Sequence, residues 1–381
     1  MKFVELNEAE YRKFEQKNPY GNLYQMAERA ALRRRMGWHA HLLGVKEDNK
    51  IIAGCLVLSK DGMMMVPMGG VLDWENEKVI DFWLKNLLDY AKEHGAITLE
   101  VFPPIRLTVR DVRGEVLEDF NRDMVYRVFD KNGFEYEGKT TAIENKANRW
   151  VTVKDLSGFA TIDEVRASYK KNVRNKLRKC TPDLDIIEVS DKNDLKDVAF
   201  AIEGSNEKNG VKSRNLSYYE DIWEIFGDQV HFMLARNKEN GDAVAGRVIF
   251  DHPNETVSFI SGTVQKYRRM NAMTVLQDDL LTKCFEKGIK RVNFYGMVGD
   301  FSENNHLLEF KSGFGVKVEE YIGGFKYIVD TKAYRKQEMK RLIRGAGSKI
   351  KRSILTVVKT TTSRQTKITR KVIAKDSEVK K

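Results

Sequence analysis

Lys311 stands in a setting that could support chemistry. It follows Phe310 and precedes the turn Gly313-Phe314-Gly315, so a cation is framed by aromatic rings and glycines. Glycines allow positive φ angles and the close approach of a ligand, and the two phenylalanines would exclude water and strengthen any charge interaction of the lysine. A surface lysine in a β-turn is the alternative interpretation. A functional lysine must be positioned by elements elsewhere in the chain.

The length of the chain predicts two domains, and we expect a monomer. The chain has 381 residues, which exceeds the size at which one core usually stops growing. It contains no run of 18 apolar residues, and its N-terminus is charged, so we expect a cytoplasmic protein. Cys55, Cys180 and Cys284 lack the spacing of metal ligands. We therefore expect neither a metal nor a cofactor.

The positive charge is concentrated at the C-terminal end. The net charge is +11, and residues 332–381 contain 17 Lys and Arg against 3 Asp and Glu. We expect a basic tail that is partly helical, from Ala333 to Ile343, or disordered. Such a tail predicts either a solubilising end or a contact with RNA phosphates or with the anionic inner face of the cell membrane.

A strand, strand, helix, glycine, strand pattern opens the chain. Alternating apolar residues predict two strands between Leu42 and Val71, with Asp48-Asn49 as the turn. Apolar residues at intervals of three and four predict a helix from Glu77 to His94, ended by Gly95. A strand from Ile97 to Phe102 follows.

The same pattern recurs in the second half of the chain. Ala245-Gly246 matches Ala53-Gly54 at an offset of 192 residues, and Gly288 matches Gly95 at an offset of 193. Two matches at nearly the same offset, in the same order of elements, indicate a duplicated α/β domain. Lys311 then lies just beyond the last strand of the second copy.

One amphipathic, basic helix is predicted between the copies, from Ile162 to Lys179. Its apolar residues recur every four positions, at Val165, Tyr169, Val173 and Leu177. A parallel basic stripe contains Arg166, Lys170, Arg174 and Arg178. Like charges at this spacing repel one another, so the stripe favours a face that binds phosphates. A solvated charged face is the alternative.

Several reaction classes lack their motifs in this sequence. It contains no GxxxxGK[ST], GxGxxG, GxSxG or HExxH pattern, which argues against nucleotide hydrolysis, dinucleotide binding, a serine nucleophile and a zinc protease. A duplicated α/β domain with one framed lysine and basic surfaces fits group transfer between two bound anionic substrates. In such a reaction the protein aligns donor and acceptor and stabilises the developing negative charge.

The C-terminal part of the chain resembles a known family. The sequence Asp300-Phe301, then EFKSGFG at 309–315 and EEYIGGF at 319–325, is similar to the signature of the FemABX aminoacyltransferases. The resemblance runs from about Tyr24 to Tyr327. Further family features occur in order, namely Tyr24-Gln25, Arg33, Gly37-Trp38, Gly70-Val71, Asp73-Trp74, the basic helix, and the loop with Lys208, Gly210 and Arg214.

The resemblance implies an α/β fold with two tandem GCN5-related acetyltransferase-like (GNAT-like) domains. It places precursor binding in residues 1–155, an aminoacyl-tRNA channel with the reaction centre in residues 156–331, and the basic tail in residues 332–381. The implied reaction moves an amino acid from aminoacyl-tRNA to the side-chain amine of the peptidoglycan stem peptide, on lipid II or UDP-MurNAc-pentapeptide. Without a coiled-coil arm, the chain resembles the compact members of the family.

The resemblance also implies roles for individual residues. Lys311, beside Phe310, would stabilise the oxyanion of the tetrahedral intermediate. Arg33 and Lys208 would bind the phosphates of the precursor. Other implied substrate contacts are Arg214, Asp73, Trp74, Tyr295 and Phe314. The sequence departs from the family at Phe102, where an acidic residue is frequent, and at Phe259 and Ser261, where tyrosines are common.

Two other functions stay open from the sequence alone. A CoA-dependent N-acyltransferase of GNAT fold would need a glycine-containing turn at a helix N-terminus to hold pyrophosphate, and Gln265 to Met273 contains no glycine. A non-catalytic RNA-binding protein would use the basic helix and the tail. The sequence does not specify the amino acid transferred, or whether the acceptor is lysine, ornithine or diaminopimelate.

Overall fold

The strands of the protein belong to two mixed sheets, seen in a computed structural model that describes residues 1–137, 140–141, 147–208 and 214–343. The strands are β1 Lys2–Glu5, β2 His39–Glu47, β3 Lys50–Lys60, β4 Met63–Val66, β5 Val71–Leu72, β6 Thr98–Val101, β7 Arg106–Arg110, β8 Val116–Asp119, β9 Glu135–Tyr136, β10 Trp150–Asp155, β11 Leu184–Glu188, β12 Val230–Asn237, β13 Ala243–His252, β14 Glu255–Thr263, β15 Arg291–Gly296, β16 Lys317–Tyr321 and β17 Phe325–Ile328.

Helices cover these sheets and connect their strands. They are α1 Glu8–Lys17, α2 Ala27–Arg35, α3 Glu77–Glu93, α4 Asp123–Lys131, α5 Ile162–Ala167, α6 Lys171–Cys180, α7 Leu195–Lys208, α8 Leu216–Phe226, α9 Ala272–Glu286 and α10 His306–Ser312. A short 3₁₀ helix, Gln265–Met270, precedes α9. In the described ranges, we find no helix with both the length and the apolar character that a membrane crossing requires. The same residues contain no cluster of three His, Cys, Asp or Glu side chains suited to a metal ion.

The chain divides into two units, Met1–Tyr327 and Ile328–Lys381. In the second unit the structure describes residues up to 343, and residues 331–343 form a helix. This confirms the predicted helix from Ala333 to Ile343, which begins two residues earlier than expected. The rest of the predicted tail lies outside the described residues.

The duplicated pattern corresponds to two similar sets of elements. In the first, β2, β3 and β4 form an antiparallel series, α3 follows, and β6 pairs parallel with β4. In the second, β12, β13 and β14 are followed by α9, and β15 pairs parallel with β14. Gly95 and Gly288 end the two helices with φ of 65° and 71°. The repeated order of elements and the mixed α/β class are therefore confirmed, although four strands, β2 to β5, occupy the stretch predicted to hold two.

The matched Ala-Gly pairs have a packing role. A Cβ on Gly54 would lie 3.2 Å from the ring of Phe14 in α1, and a Cβ on Gly246 would lie 2.8 Å from the carbonyl oxygen of Val198 in α7. In each copy the glycine lets a helix approach the second strand closely. The repeated Ala-Gly pair therefore corresponds to the same kind of helix-on-sheet contact in each copy.

The two halves exchange strands. The first sheet has the order β1-β2-β3-β4-β6-β17-β9, with β5 paired to β3, and the second has the order β11-β12-β13-β14-β15-β10-β16-β7-β8. Strands β7 and β8 come from the first half but join the second sheet, whereas β17 does the reverse. The proposed division near residue 155 stays a prediction, and residues 1–327 form one compact unit.

The prediction of one continuous helix from Ile162 to Lys179 is wrong. The structure has two helices, α5 and α6, separated at Ser168–Lys170. Lys170 is extended, with ψ of 147°, and its backbone N–H donates to the carbonyl of Gly313 at 2.8 Å. This tertiary hydrogen bond ends the first helix although the apolar periodicity continues. Val165, Tyr169 and Val173 are buried as predicted, and Leu177 is half-buried.

A buried polar contact fixes the N-terminal segment against the β13–β14 hairpin. Nε2 of His252 lies 2.8 Å from Oε1 of Glu15, and both side chains are almost fully buried. The backbone N–H of Asn254 donates to Nδ1 of His252, which assigns the ring proton to Nε2. The side chain of Asn254 donates to the carbonyls of Asn18 and Gly21 at 2.8 Å. These bonds position the segment that carries Tyr24.

Gly262→Ala should destabilise the fold by about 1–3 kcal/mol, because its Cβ would lie 2.5 Å from Cα of Ile202 in the backbone of α7. Gly204→Ala, within α7 itself, meets nothing within 4 Å and should stabilise the fold by about 0.5–1 kcal/mol through helix propensity. Urea unfolding of both variants checks this. Equal stability of the two variants would contradict the close packing of α7 on the sheet.

Candidate functional site

Lys311 lies in the last turn of α10 and not in a surface turn. Its side chain is 6% exposed, and its ammonium donates to the carbonyls of Tyr295 at 3.0 Å and Gly296 at 2.9 Å. The interpretation as a surface lysine is therefore wrong. The amine is buried and directed at the end of β15.

The backbone at Tyr295 makes this contact possible. Consecutive carbonyls of a regular strand point in opposite directions, so one amine cannot bind two of them. Tyr295 has φ of 67°, a left-handed value that is uncommon for a residue other than glycine. The strand turns there, and two successive carbonyl oxygens face Lys311. A strained residue of this kind marks a functional-site candidate.

Burial sets the charge state of Lys311. Desolvation, and then the nearby positive charge of Arg247, lower the pKa of Lys311 from 10.5 to about 7. Arg247 in β13 is 1% exposed, its Nη1 donates to the carbonyl of Leu276, and its Nε has no partner among the described residues. Desolvation lowers the pKa of Arg247 to about 9, although the charge of Asp279 acts in the opposite direction. Two buried cations therefore favour an anion at this place.

The aromatic residues on either side of Lys311 in the sequence pack against one another. The ring of Phe310 packs edge-on against Phe314 at 5.5 Å, and Phe314 packs against Tyr169 and Phe294. Phe310 is half-buried, whereas Phe314 is fully buried in the core of the second sheet. Phe314 is therefore a core residue, and its predicted contact with substrate stays a prediction.

Tyr295 also connects Lys311 to a stack of rings and a guanidinium. Its hydroxyl lies 2.8 Å from the hydroxyl of Tyr24, and its ring packs edge-on against Phe259 at 5.0 Å. The guanidinium of Arg29 lies over the rings of both Tyr24 and Phe259, at 5.8 and 5.4 Å. The predicted site residue Tyr295 therefore contacts both parts of the site.

Arg29 and Arg33 form a second buried positive centre. They lie one turn apart on α2, and Arg29 is 4% exposed. Nε and Nη1 of Arg29 and Nε of Arg33 are buried without hydrogen-bond partners in the described part of the chain. Burial, and then the charge of Arg29, lower the pKa of Arg33 to about 10. Unpartnered buried guanidinium groups indicate a site for an anion such as a phosphate.

Arg214 lies beside this centre. Its guanidinium lies 5.2 Å from the centroid of the Tyr218 ring, and Tyr218 interacts electrostatically with Arg33. The structure therefore brings together the predicted contacts Arg33, Arg214 and Tyr295. Lys208 is the last residue of α7, and its side chain lies outside the described part.

Two predicted contacts are not part of this arrangement. Trp74 is fully buried, donates from Nε1 to the carbonyl of Gly70 at 3.0 Å and stacks on Phe129, so it is a core residue and its predicted substrate contact is wrong. Asp73 is exposed and accepts a hydrogen bond from the backbone of Glu75, as a turn residue does. In this structure the motif at Asp73-Trp74 is explained by a turn and by packing of the core.

The predicted basic stripe is also corrected. Arg166 is bound to Asp278 at 3.1 Å, and a guanidinium nitrogen of Arg174 donates to the carbonyls of Ala167 and Tyr169. Lys170 donates to the hydroxyl of Ser312 at 2.7 Å. Arg178 is exposed and has no ion pair among the described residues. The four residues therefore differ in role and do not form one uniform face.

A cavity of about 480 Å³ adjoins the site. Tyr24 and Tyr295 contribute to its wall. Its polar lining contains Tyr20, Asn22, Arg106, Arg122, Asn148, Asn254, Glu255, Arg291, Asn293 and Tyr321. Tyrosine and asparagine side chains can both donate and accept hydrogen bonds, which suits a ligand rich in amide or hydroxyl groups.

Arg29 and Arg247 are the site residues that sequence reasoning missed. Arg247 is a lone charge within the apolar strand sequence AVAGRVIF, and Arg29 lies one turn before Arg33 among alanines. A single charged residue in an otherwise buried stretch was the available signal, because such a group is rarely buried without a partner or a function.

Raising the pH from 7 to 10 should stabilise the wild type relative to Lys311→Met. In this range unfolded lysine, with its ordinary pKa of 10.5, keeps a proton that the folded lysine, with a pKa of about 7, has lost. The unfolded state then binds more protons, so the difference in unfolding free energy should rise by up to about 1.4 kcal/mol per pH unit. Urea unfolding across this range measures it. Lys317→Met, at an exposed site, should show no such slope, and a flat difference for Lys311→Met would contradict its burial as described.

Curated relatives match nearly the whole chain. Aminoacyltransferase FemB of Staphylococcus epidermidis is 25% identical over an alignment that covers 85% of this chain and 94% of the relative. Aminoacyltransferase FemA of the same species is 24% identical, with 85% and 95% covered.

Solved structures share the fold. The crystal structure of FemX superposes with a TM-score of 0.74 at 17% identity, covering 88% of this chain and 99% of FemX. A tandem GNAT protein from the clavulanic acid biosynthesis pathway gives a TM-score of 0.53 at 9% identity, covering 86% and 98%. The predicted class of two GNAT-like domains is thus confirmed. The sequence profile of the FemAB family matches residues 6–238 and 236–341, and the protein therefore belongs to the FemAB family.

Proposed function

We propose that this protein moves an amino acid from aminoacyl-tRNA to the side-chain amine of the peptidoglycan stem peptide, carried on lipid II or UDP-MurNAc-pentapeptide. Its family membership and its FemB and FemA relatives support the general activity, an aminoacyltransferase that acts in forming peptidoglycan cross-bridges. The observation that carries the proposal is the buried ammonium of Lys311, held by two consecutive carbonyls and connected through Tyr295 and Tyr24 to a second buried positive centre.

The chemistry follows from what these groups can stabilise. The acceptor amine attacks the ester carbonyl carbon, a C–N bond forms, and the carbonyl oxygen becomes an oxyanion. The ester C–O bond then breaks, the ribose oxygen leaves, and it takes up the proton that the amine loses. A protonated Lys311 has three donors, two of which bind Tyr295 and Gly296. The third is available for the oxyanion.

Low solvent access strengthens this interaction. A charge-assisted hydrogen bond in a site closed to water is stronger than one in solution, and one donor of this kind lowers the activation barrier by on the order of 3 kcal/mol. An approaching anion also offsets the desolvation that lowers the pKa of Lys311, and so favours its charged form. The buried lysine therefore becomes most fully charged when the oxyanion develops.

The positive centre at Arg29 and Arg33 supports binding of the precursor. Its unpartnered guanidinium nitrogens suit the diphosphate that lipid II and the nucleotide-linked precursor share. Arg214 adds a charge nearby. Because Tyr295 contacts both the stack over Arg29 and the amine of Lys311, a precursor bound there lies next to the proposed oxyanion site.

Lys311→Met should lower the rate of transfer about a hundredfold or more, because the developing oxyanion loses its donor. The assay follows a radiolabelled amino acid from charged tRNA to a lipid-linked or nucleotide-linked precursor. Lys317→Met, an exposed lysine six residues away, serves as the control and should keep the wild-type rate. Transfer by Lys311→Met at the control rate would exclude this role.

Arg33→Met should raise KM for the precursor roughly tenfold or more with little change in kcat, because removal of a charged hydrogen bond to phosphate costs about 1.5–3 kcal/mol. Arg34→Met removes an exposed arginine of the same helix that is paired with Glu8, and should leave KM unchanged. Steady-state kinetics with varied precursor separates these variants. An unchanged KM for Arg33→Met would remove the arginine from the binding site.

The same assay separates the rival functions. A non-catalytic RNA-binding protein would bind tRNA without consuming the aminoacyl ester. A CoA-dependent N-acyltransferase would acylate the amine with acyl-CoA in the absence of tRNA. The proposed aminoacyltransferase requires charged tRNA and consumes its ester only when the precursor is present.

A further inference from the structure

An exposed basic surface begins at the proposed reaction centre. It is formed by α6 and by the 3₁₀ helix Gln265–Met270, and we refer to it as the basic strip. Apart from Lys266, which is paired with Asp242, its exposed charged residues are Lys171, Arg174, Lys176, Arg178, Lys179, Arg268 and Arg269.

The N-terminus of α6 lies against the segment that holds Lys311. The backbone N–H of Lys170 donates to the carbonyl of Gly313 at 2.8 Å, and its ammonium donates to the hydroxyl of Ser312 at 2.7 Å. A Cβ on Gly313 would lie 2.5 Å from Val173 in the first turn of the helix. The basic strip therefore starts within two residues of Lys311.

The C-terminal end of α6 meets the 3₁₀ helix. The side chain of Asn271 lies 3.7 Å from the sulfur of Cys180 and donates to the carbonyl of Arg269 at 2.8 Å. One asparagine thus joins the last residue of α6 to the neighbour of Arg268. The two basic elements therefore lie next to each other, although Cys180 and Asn271 are 91 residues apart in sequence.

The charges of the basic strip are not neutralised by carboxylates. In the described part of the chain, none of the seven side chains forms an ion pair, and neither element contains an acidic residue. Two other cations are paired with carboxylates: Lys266, within the 3₁₀ helix, with Asp242, and Arg166, in α5, with Asp278. A run of unpaired like charges destabilises the folded protein unless an anion binds there.

We propose that the basic strip binds consecutive backbone phosphates in the acceptor arm of the donor tRNA and guides its aminoacylated end to Lys311. This inference rests on the proposed function. The ten residues of α6 extend about 15 Å, which is long enough to contact more than one phosphate of an RNA strand. Phosphate contacts of this kind position a nucleic acid without reading its bases.

The surface chemistry favours RNA over a membrane. Helices that lie on membranes bury large apolar residues beside their basic ones. Asn172 and Asn175 are exposed between the charges, and no large apolar side chain of α6 or the 3₁₀ helix is highly exposed. A charged and hydrogen-bonding surface without apolar anchors suits phosphates and ribose hydroxyls.

The test compares two triple variants of equal charge change. The strip variant is Arg178→Gln, Lys179→Gln and Arg268→Gln. The control is Lys85→Gln, Lys92→Gln and Lys131→Gln, at lysines of α3 and α4 that are already paired with Asp81 or Asp89. Binding of fluorescent deacylated tRNA is measured by anisotropy over a range of salt concentrations, and thermal unfolding checks that both variants are folded.

The strip variant should bind tRNA at least tenfold more weakly than the wild type. The slope of log affinity against log salt should fall by about 2–3, as expected for the loss of three phosphate contacts. In the transfer assay, KM for charged tRNA should rise, while kcat at saturating tRNA should stay unchanged. The control variant should match the wild type in each measurement.

Equal tRNA affinity and salt slope in the two variants would overturn the proposal. It would also be overturned if the strip variant lost binding only to vesicles of anionic phospholipid. Failure of the proposed function gives a different result, since tRNA binding would then depend on the basic strip while the wild type consumed no aminoacyl ester. Lys311→Met should bind deacylated tRNA as the wild type does, which separates binding from chemistry.

Discussion

The site depends on the burial of one ammonium group between two consecutive carbonyl oxygens. Lys311 can donate to both Tyr295 and Gly296 only because β15 turns sharply at Tyr295. Carbonyl dipoles partly offset the desolvation of the amine, but Arg247 is also buried nearby and repels it. In the free protein, burial and the repulsion from Arg247 therefore outweigh these hydrogen bonds and lower the pKa of Lys311 to about 7. A negatively charged group at this place would relieve the imbalance, and group transfer through an oxyanion supplies one.

The duplicated fold provides the framework for this arrangement. In the second copy the helix after the parallel strand, α10, returns its last turn to the end of β15, which brings Lys311 to the backbone of Tyr295. In the first copy, α2 carries Arg29 and Arg33 toward the same tyrosine. The buried pair of His252 and Glu15 fixes the N-terminal segment that carries Tyr24 against the β13–β14 hairpin. Tyr295 is thus the residue through which both halves of the protein contribute to one site.

Local periodicity predicted much of the fold. Regular apolar spacing and Gly95 defined α3 to within one residue, and the repeated Ala-Gly pair marked the close contacts of α1 and α7. The break between α5 and α6 could not be predicted in this way, because it results from a hydrogen bond between Lys170 and Gly313, more than 140 residues away. The strand exchange between the sheets likewise depends on long-range pairing of β7 and β17.

The candidate site was predicted in part. Aromatic and glycine neighbours singled out Lys311, and family resemblance indicated Arg33, Arg214 and Tyr295, which the structure brings together around Tyr218 and Tyr24. Resemblance could not distinguish Trp74, a core residue, from a ligand contact, because packing and binding both preserve a motif. Arg29 and Arg247 were missed because their significance lies in burial without partners, a property of the folded chain.

The central claim is that Lys311 stabilises negative charge that exists only in the transition state. Binding of a phosphonate analogue of the tetrahedral intermediate, attached to a 3′-terminal adenosine, tests this most directly when compared with a non-hydrolysable amide-linked aminoacyl-adenosine. Lys311→Met should weaken the affinity for the phosphonate about a hundredfold, as measured by calorimetry. It should hardly change the affinity for the amide, which carries no negative charge at its carbonyl oxygen. Equal losses for the two ligands, or no loss for the phosphonate, would contradict the account.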